Sequence, residues 1–336
     1  MDSVTQIALG AAVGEALLGR KVGRKAALWG AVCGTLPDLD VFVPFGDAVK
    51  DFTYHRSFSH SIFILSLLTP LVVWLILKLH PNMRNYRAQW TWLVWFCLIT
   101  HVLLDCFTVY GTQIFWPFWS EPVGWGSVFI IDPFYTLPLL IGLFCALVMS
   151  RNHPRGELLN RAGLALSSFY LVWSLGAQSY VVKAVEQSLA AQMITYKNLL
   201  VTAGPLNTML WRIVAMESDG NYYEGFYSLL DGSEKVTLTH HNSAPELLAS
   251  FEENWSVARL HWFTKGFFKV WQDGTDLVMT DLRMGSEPSY VFSFVVGDLT
   301  REKVAVPTRH AGLKRDVGSL KKAWCRIWSV TDRCPS

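Results

Sequence analysis

The chain has 336 residues, of which 51% are hydrophobic and only 17% charged, with 15 tryptophans. That is too apolar and too poor in charge for an ordinary soluble domain, so a membrane protein with an extramembrane part is expected. The net charge is +2, and no dense basic run interleaved with aromatics occurs, which argues against nucleic acid as a partner.

Apolar runs predict six membrane helices, over roughly residues 4–19, 26–36, 61–79, 90–110, 133–149 and 162–182. The first two are short for a span of about 20 residues, so they read as a shallow hairpin. Asp2 precedes the first basic residue, Arg20, and the segment lacks the basic start and cleavage site of a secretory signal. The first helix is therefore expected to be retained. Lys and Arg gather in alternate loops: Arg20, Lys21, Arg24 and Lys25, then Lys78, Arg84 and Arg87, then Arg151, Arg155 and Arg161. The positive-inside rule places those loops in the cytoplasm and both termini outside. The fold class expected is a membrane α-helical domain over 1–182, a helical linker over 183–204, and a small β-rich domain over 205–336 on the outer face. Alternating segments 209–217, 222–230, 236–240, 259–271, 277–284 and 290–296, with Asp-Gly turns between several, predict that sheet structure. Cys325 and Cys334 can pair there if the compartment is oxidising.

Polar residues inside the apolar part carry the functional signal, because ionisable groups at hydrocarbon depth are expensive. Gln6 lies 14 residues before Arg20, Asp38 13 after Lys25, and His101 14 after Arg87. At about 1.5 Å per helical residue each sits roughly 20 Å above the cytoplasmic surface. In Pro37-Asp38-Leu39-Asp40 the proline ends the second helix, and an extended backbone points both carboxylates into one space. Alone, this motif is more simply a helix stop and an acidic turn. In His55-Arg56-Ser57-Phe58-Ser59-His60-Ser61, ahead of the third helix, two histidines are borderline ligands and Arg56 offers a planar fork to an anion. Ser59 is expected to cap that helix. His101 and Asp105, four apart, share a face of the fourth helix, flanked by Thr100 and Thr108. A hydrogen-bonded pair tying two helices together is the plainer alternative.

Together, PDLD, HRSFSHS and HVLLD in this order resemble the YdjM-type inner-membrane family of metal-dependent hydrolases, over roughly residues 1–180. The resemblance implies distant similarity to the zinc phospholipase C and P1 nuclease group. It also implies Asp38, Asp40, His55, His60, His101 and Asp105 as the matching polar positions. The family pattern carries histidine where this chain has Gln6, which leaves Gln6 as a ligand or an orienter.

The expected function is metal-dependent hydrolysis of a phosphoester in a lipid or lipid-linked substrate at the outer face of the bacterial inner membrane. The expected ion is zinc, with manganese as the alternative. Candidate ligands are Asp38, Asp40, His55, His60, His101, Asp105 and Gln6. Arg56 neutralises phosphate, and either Asp40 or Asp105 is the general base. Two other readings stand beside it: a transporter using the same polar groups, and an envelope scaffold with a structural metal.

Overall fold

The computed structural model describes residues 1–149, 154–232, 236–251, 253–300, 306–310 and 317–329. The chain divides into two compact units. One comprises residues 1–43, 56–125 and 129–174, the other 44–55, 126–128 and 175–336.

The first unit is helical. Helix α1 (Ser3–Val22) begins at Asp2, whose side chain accepts from Thr5 N, and ends at Gly23 with φ 70°. Helix α2 (Lys25–Thr35) packs antiparallel against it at very short range. Gly10 and Gly14 on α1 face Gly30 and Gly34 on α2, and a Cβ on Gly30 would stand 2.2 Å from Gly10 O. This pair of small-xxx-small patterns lets two backbones touch. Pro37 then turns the chain into a 3₁₀ segment, Pro37–Phe42, instead of the extended backbone that would point both carboxylates into one space.

Helix α3 (Ala48–Tyr54), absent from the expected elements, belongs to the second unit. A short 3₁₀ turn, Phe58–His60, precedes α4 (Ile62–Leu79). The cap of α4 is Ser61, which accepts from Ile64 N at 3.3 Å, and not Ser59 as expected. Helix α5 (Arg87–Cys106) packs between α1, α2 and α4 through buried Trp90, Leu93, Val94, Leu98 and Val102. Helix α6 (Pro133–Val148) is capped by Asp132, which accepts from Phe134 N and from the Tyr170 hydroxyl at 2.8 Å. Asp132 is thus engaged in capping and in binding Tyr170. Helix α7 (Pro154–Ala191) is twice the expected length; its residues through Ser174 fall in the first unit and the rest in the second.

Among the described residues, two helical segments are long and apolar enough to cross a membrane, Ile62–Leu79 and Pro81–Cys106, and Pro133–Val148 is apolar but shorter. Six spans were expected, and two of those segments meet this test of length and composition among the described residues. Glycine and alanine supply 12 of the 31 residues of α1 and α2 and serve their close packing.

The second unit contains most of the sheet structure. Strands β1 (Asn198–Ala203), β2 (Leu210–Met216), β3 (Tyr222–Ser228) and β4 (Leu238–His241) form one antiparallel sheet in that order. Ala177, Val181, Val185 and Leu189 of α7 pack with Val201, Trp211, Ile213 and Tyr227 of this sheet. Sheet structure therefore starts at Asn198, inside the stretch read as linker.

Helix α8 (Trp255–Phe263) replaces the first half of the strand expected at 259–271. Its N-cap, Asn254, accepts from Ser256 N, a local stop that outweighs strand propensity. Strands β5 (Phe268–Asp273) and β6 (Asp276–Asp281) follow, then a small hairpin β7 (Gly285–Ser286) and β8 (Ser289–Tyr290). Strands β9 (Ser293–Asp298) and β10 (Thr308–Arg309) complete a second sheet of order β10-β9-β6-β5.

Buried Arg212 donates to Glu224 at 2.5 Å, to Leu282 O at 2.7 Å and to the Tyr290 hydroxyl at 3.3 Å, joining the first sheet to the small hairpin. Helix α9 (Val317–Trp328) is fixed by Arg326, which binds Asp231 and Phe226 O. Cys325 is disulfide-bonded, and Cys334 lies outside the described residues.

Candidate metal centre

The structure brings Asp38, His60, His101 and Asp105 together, with one ligand atom from each within 4.8 Å of all the others. Three elements of the first unit supply them: Asp38 from the 3₁₀ segment after α2, His60 from the turn before α4, and His101 with Asp105 from one face of α5.

The donors face one another closely. His60 Nε2 lies 3.4 Å from Asp38 Oδ1, 3.3 Å from Asp105 Oδ2 and 3.4 Å from His101 Nε2. His101 Nε2 is 3.5 Å from both Asp38 Oδ1 and Asp105 Oδ2. Four donors placed tetrahedrally at 2.0–2.2 Å from a zinc ion stand about 3.3–3.6 Å apart. Five of the six edges fall within that range.

Hydrogen bonds behind the ring nitrogens fix which atoms point inward. His101 Nδ1 donates to Gly34 O at 2.7 Å, because a carbonyl only accepts. Ser59 Oγ gives its one proton to Asp40 Oδ2 at 2.5 Å and so receives the proton of His60 Nδ1 at 2.9 Å. Both histidines therefore aim Nε2 at the centre with Nδ1 tied down, as metal-bound histidines are. Asp38 Oδ1 and Asp105 Oδ2 are buried and accept no hydrogen bond among the described residues. Two carboxylate oxygens and two imidazole nitrogens converge on one point. This donor set fits a divalent cation of hard or borderline character, and the lack of a thiolate argues against the softest metals.

Asp40 and Asp38 do not share one space, because the 3₁₀ backbone separates them. Asp38 approaches His60 at Nε2, whereas Asp40 Oδ2 lies 3.9 Å from His60 Nδ1, behind the ring. Asp40 also accepts from Arg56 N at 3.0 Å, so its carboxylate organises the turn that carries His60. Gln6 acts behind Asp105: its Nε2 donates to Asp105 Oδ1 at 3.0 Å and to His101 O at 3.3 Å. The α-amino nitrogen of Met1 also contacts Asp105 Oδ1. His55 caps the C-terminus of α3 and is not among the four converging residues.

Arg56 is buried with φ 62°, a left-handed conformation that costs a non-glycine residue roughly 1–2 kcal/mol. The turn aims its N–H at Asp40 and its guanidinium at Asp105, with Nε 3.2 Å from Oδ2. Arg56 Nη1 also donates to Thr108 Oγ1 at 3.3 Å, and the guanidinium lies over the Tyr110 ring. Thr108 in turn donates to Asp105 O, whereas Thr100 bonds only within its own helix, to Phe96 O and Cys97 O.

Sequence reasoning named Ser59 as a helix cap, where it instead links His60 to Asp40, and missed Gly34 and Thr5. Thr5 Oγ1 shares a proton with Thr136 Oγ1 at 2.7 Å and helps fix the start of α1 near Gln6. The repeated four-residue glycine spacing on α1 and α2 was the available signal for Gly34.

Openness is uneven. The Asp38 side chain is 23% exposed, while those of His60, His101 and Asp105 are fully buried. Access to the centre is therefore at the Asp38 edge.

A helical unit with two helices long and apolar enough to cross a membrane, and a two-histidine, two-aspartate cluster, defines a class of helical protein with a candidate metal centre. Residues 1–181 match the YdjM inner membrane protein family, and the chain belongs to that family. It is also 25% identical over 313 residues to the uncharacterized protein YfhP of Bacillus subtilis (strain 168), covering 88% of this chain and 90% of the relative. No solved structure matches the chain.

Proposed function

We propose that the protein is a membrane-bound, metal-dependent hydrolase of a phosphoester in a lipid or lipid-linked substrate, acting at the outer face of the inner membrane. The observation that carries this reading is the convergence of Asp38, His60, His101 and Asp105, one ligand atom from each lying within 4.8 Å of all the others. Asp38, His60, His101 and Asp105 would hold the ion, and zinc or manganese suits the set. When bound, such an ion supplies Lewis acidity toward a phosphoryl oxygen and acidifies water.

The chain's own residues supply the rest. Arg56, beside Asp105, offers positive charge to the phosphate. Asp40 is committed to Arg56 N and Ser59, so we assign it orientation of His60, and Asp105, with one oxygen toward the ion and the other held by Gln6, is assigned as a ligand. The lipid substrate class rests on position. His60 stands two residues before α4, and Asp105 is the penultimate residue of α5, so both lie where candidate spans end. An outward orientation of the β-rich unit is supported by the basic loops and by the disulfide at Cys325, since disulfides persist outside the cytoplasm.

One observation favours a structural metal as a second reading: the protein itself offers four donors, the number that fills a closed structural site. The catalytic reading needs a further position, and the exposed Asp38 edge is where it would open. Turnover of a fluorogenic phospholipid or lipid-pyrophosphate panel by metal-loaded protein decides between them. Hydrolysis that Arg56→Ala abolishes without loss of metal supports the enzyme. Retained metal with no turnover, and unfolding on chelation, supports the structural role.

A further inference from the structure

Residues 44–55 lie in the chain between Asp40 and Arg56, two members of the metal centre's surroundings, yet they fold with the β-rich unit. The chain leaves the first unit after Val43 and returns at Arg56, where Arg56 N donates to Asp40 Oδ2 and closes the excursion. The excursion contains α3, seven residues long, too short to hold its shape alone. Residues of α8 and the second sheet hold it. Phe52 packs against Phe263, Phe292 and Phe294 with ring centroids 4.9, 4.6 and 5.1 Å away. Arg259 Nε donates to Thr53 Oγ1 at 3.0 Å and Nη2 to Thr53 O at 3.4 Å. The same guanidinium lies over the rings of Tyr54 at 4.9 Å and Trp262 at 4.1 Å, and Lys50 covers Trp255.

We infer that the β-rich unit positions the metal centre by gripping α3, with Arg259 as the principal positioning residue. The anchor acts on both flanks of the excursion. Asp38 and Asp40 precede it, and Arg56, Ser59 and His60 follow it, so its placement limits how far the His60 turn can stray from Asp38. Arg259 lies beyond the family match at 1–181, and its effect on the centre runs through α3. The inference rests on the metal reading above for its affinity arm alone.

The test uses full-length protein in detergent and two variants, Arg259→Ala and Phe52→Ala, with Arg259→Lys as the conservative control. Zinc affinity is measured by chelator competition, and amide hydrogen exchange is followed in peptides covering 37–43, 48–54 and 55–60. The expected result is about tenfold weaker zinc binding, the low end for loss of a group supporting metal ligands. Exchange is expected to quicken in 48–54 and 55–60, with β2 and β3 protected as in the wild type, and Arg259→Lys to fall between. Wild-type zinc affinity and wild-type exchange over 55–60 in both variants would overturn the inference. If the wild type binds no zinc, the metal reading fails, while exchange over 55–60 still decides whether the β-rich unit positions that turn.

Discussion

Replacing Gly30 by alanine tests the packing that sets the centre's geometry. The added Cβ would stand 2.2 Å from Gly10 O and 3.2 Å from Gly14 Cα. Ordinary carbon contacts begin near 3.5 Å, so α1 and α2 must separate by roughly 1 Å. The obstructing atom is backbone, and no rotamer change relieves it. Overpacking of this kind costs about 1–3 kcal/mol, and alanine's better helix propensity returns about 0.5–1 of that. A net loss of about 1–2 kcal/mol lowers the melting temperature by roughly 2–8 °C for a unit of this size. Gly176 in α7 is the matched control, because a Cβ there meets nothing within 4 Å. Gly176→Ala should be neutral or slightly stabilising. The assay is thermal unfolding of both variants in the same detergent. Separation of the helices also moves Gly34 O away from His101 Nδ1, so Gly30→Ala should weaken zinc binding while Gly176→Ala does not. Equal melting temperatures for the two variants would refute the close crossing.

Ser59→Ala removes the hydroxyl between His60 Nδ1 and Asp40; zinc affinity measured by competition should fall about 10-fold or more, with the fold retained. Arg56→Gly relieves the left-handed backbone by roughly 1–2 kcal/mol but strips buried Asp105 of its guanidinium, a loss of about 3–5 kcal/mol, so the melting temperature should fall and phosphoester turnover should drop by about 10²-fold or more. In the β-rich unit, burial pushes the Glu287 carboxyl up, but hydrogen bonds from Lys269 and Tyr222 outweigh it and hold the group below its ordinary value of 4.5. A carboxylate depressed in the folded state stabilises above its unfolded value, and that stability is lost as pH falls through the folded value. Glu287→Gln should therefore flatten the acid side of the unfolding profile below pH 4.5, measured by tryptophan fluorescence.

Much of the centre was legible because charge at hydrocarbon depth is conspicuous: His101 and Asp105 stand four apart in a span without other charge, and helix geometry puts them on one face. Asp38 and His60 followed from paired motifs at helix ends. The roles within those motifs were not legible. Whether Asp40 faces the same point as Asp38 depends on 3₁₀ against extended backbone, a difference of a few dihedral angles after Pro37. His55 and His60 look equivalent in sequence, yet one caps α3 and the other enters the cluster. The α8 segment was read as strand because its aromatic and β-branched residues suit either state, and the Asn254 cap decided for helix. Six spans were expected from apolar runs, and α1 and α2 use Gly10, Gly14, Gly30 and Gly34 to pack against each other.

Metal content by elemental analysis of the detergent-purified chain, wild type beside a His60→Ala, His101→Ala double variant, tests the central claim most directly. The account predicts about one zinc or manganese ion per wild-type chain, the capacity of a single four-donor site, and none in the variant. A wild-type protein that stays metal-free after purification with added zinc and manganese, or a variant that keeps the same content, would contradict it.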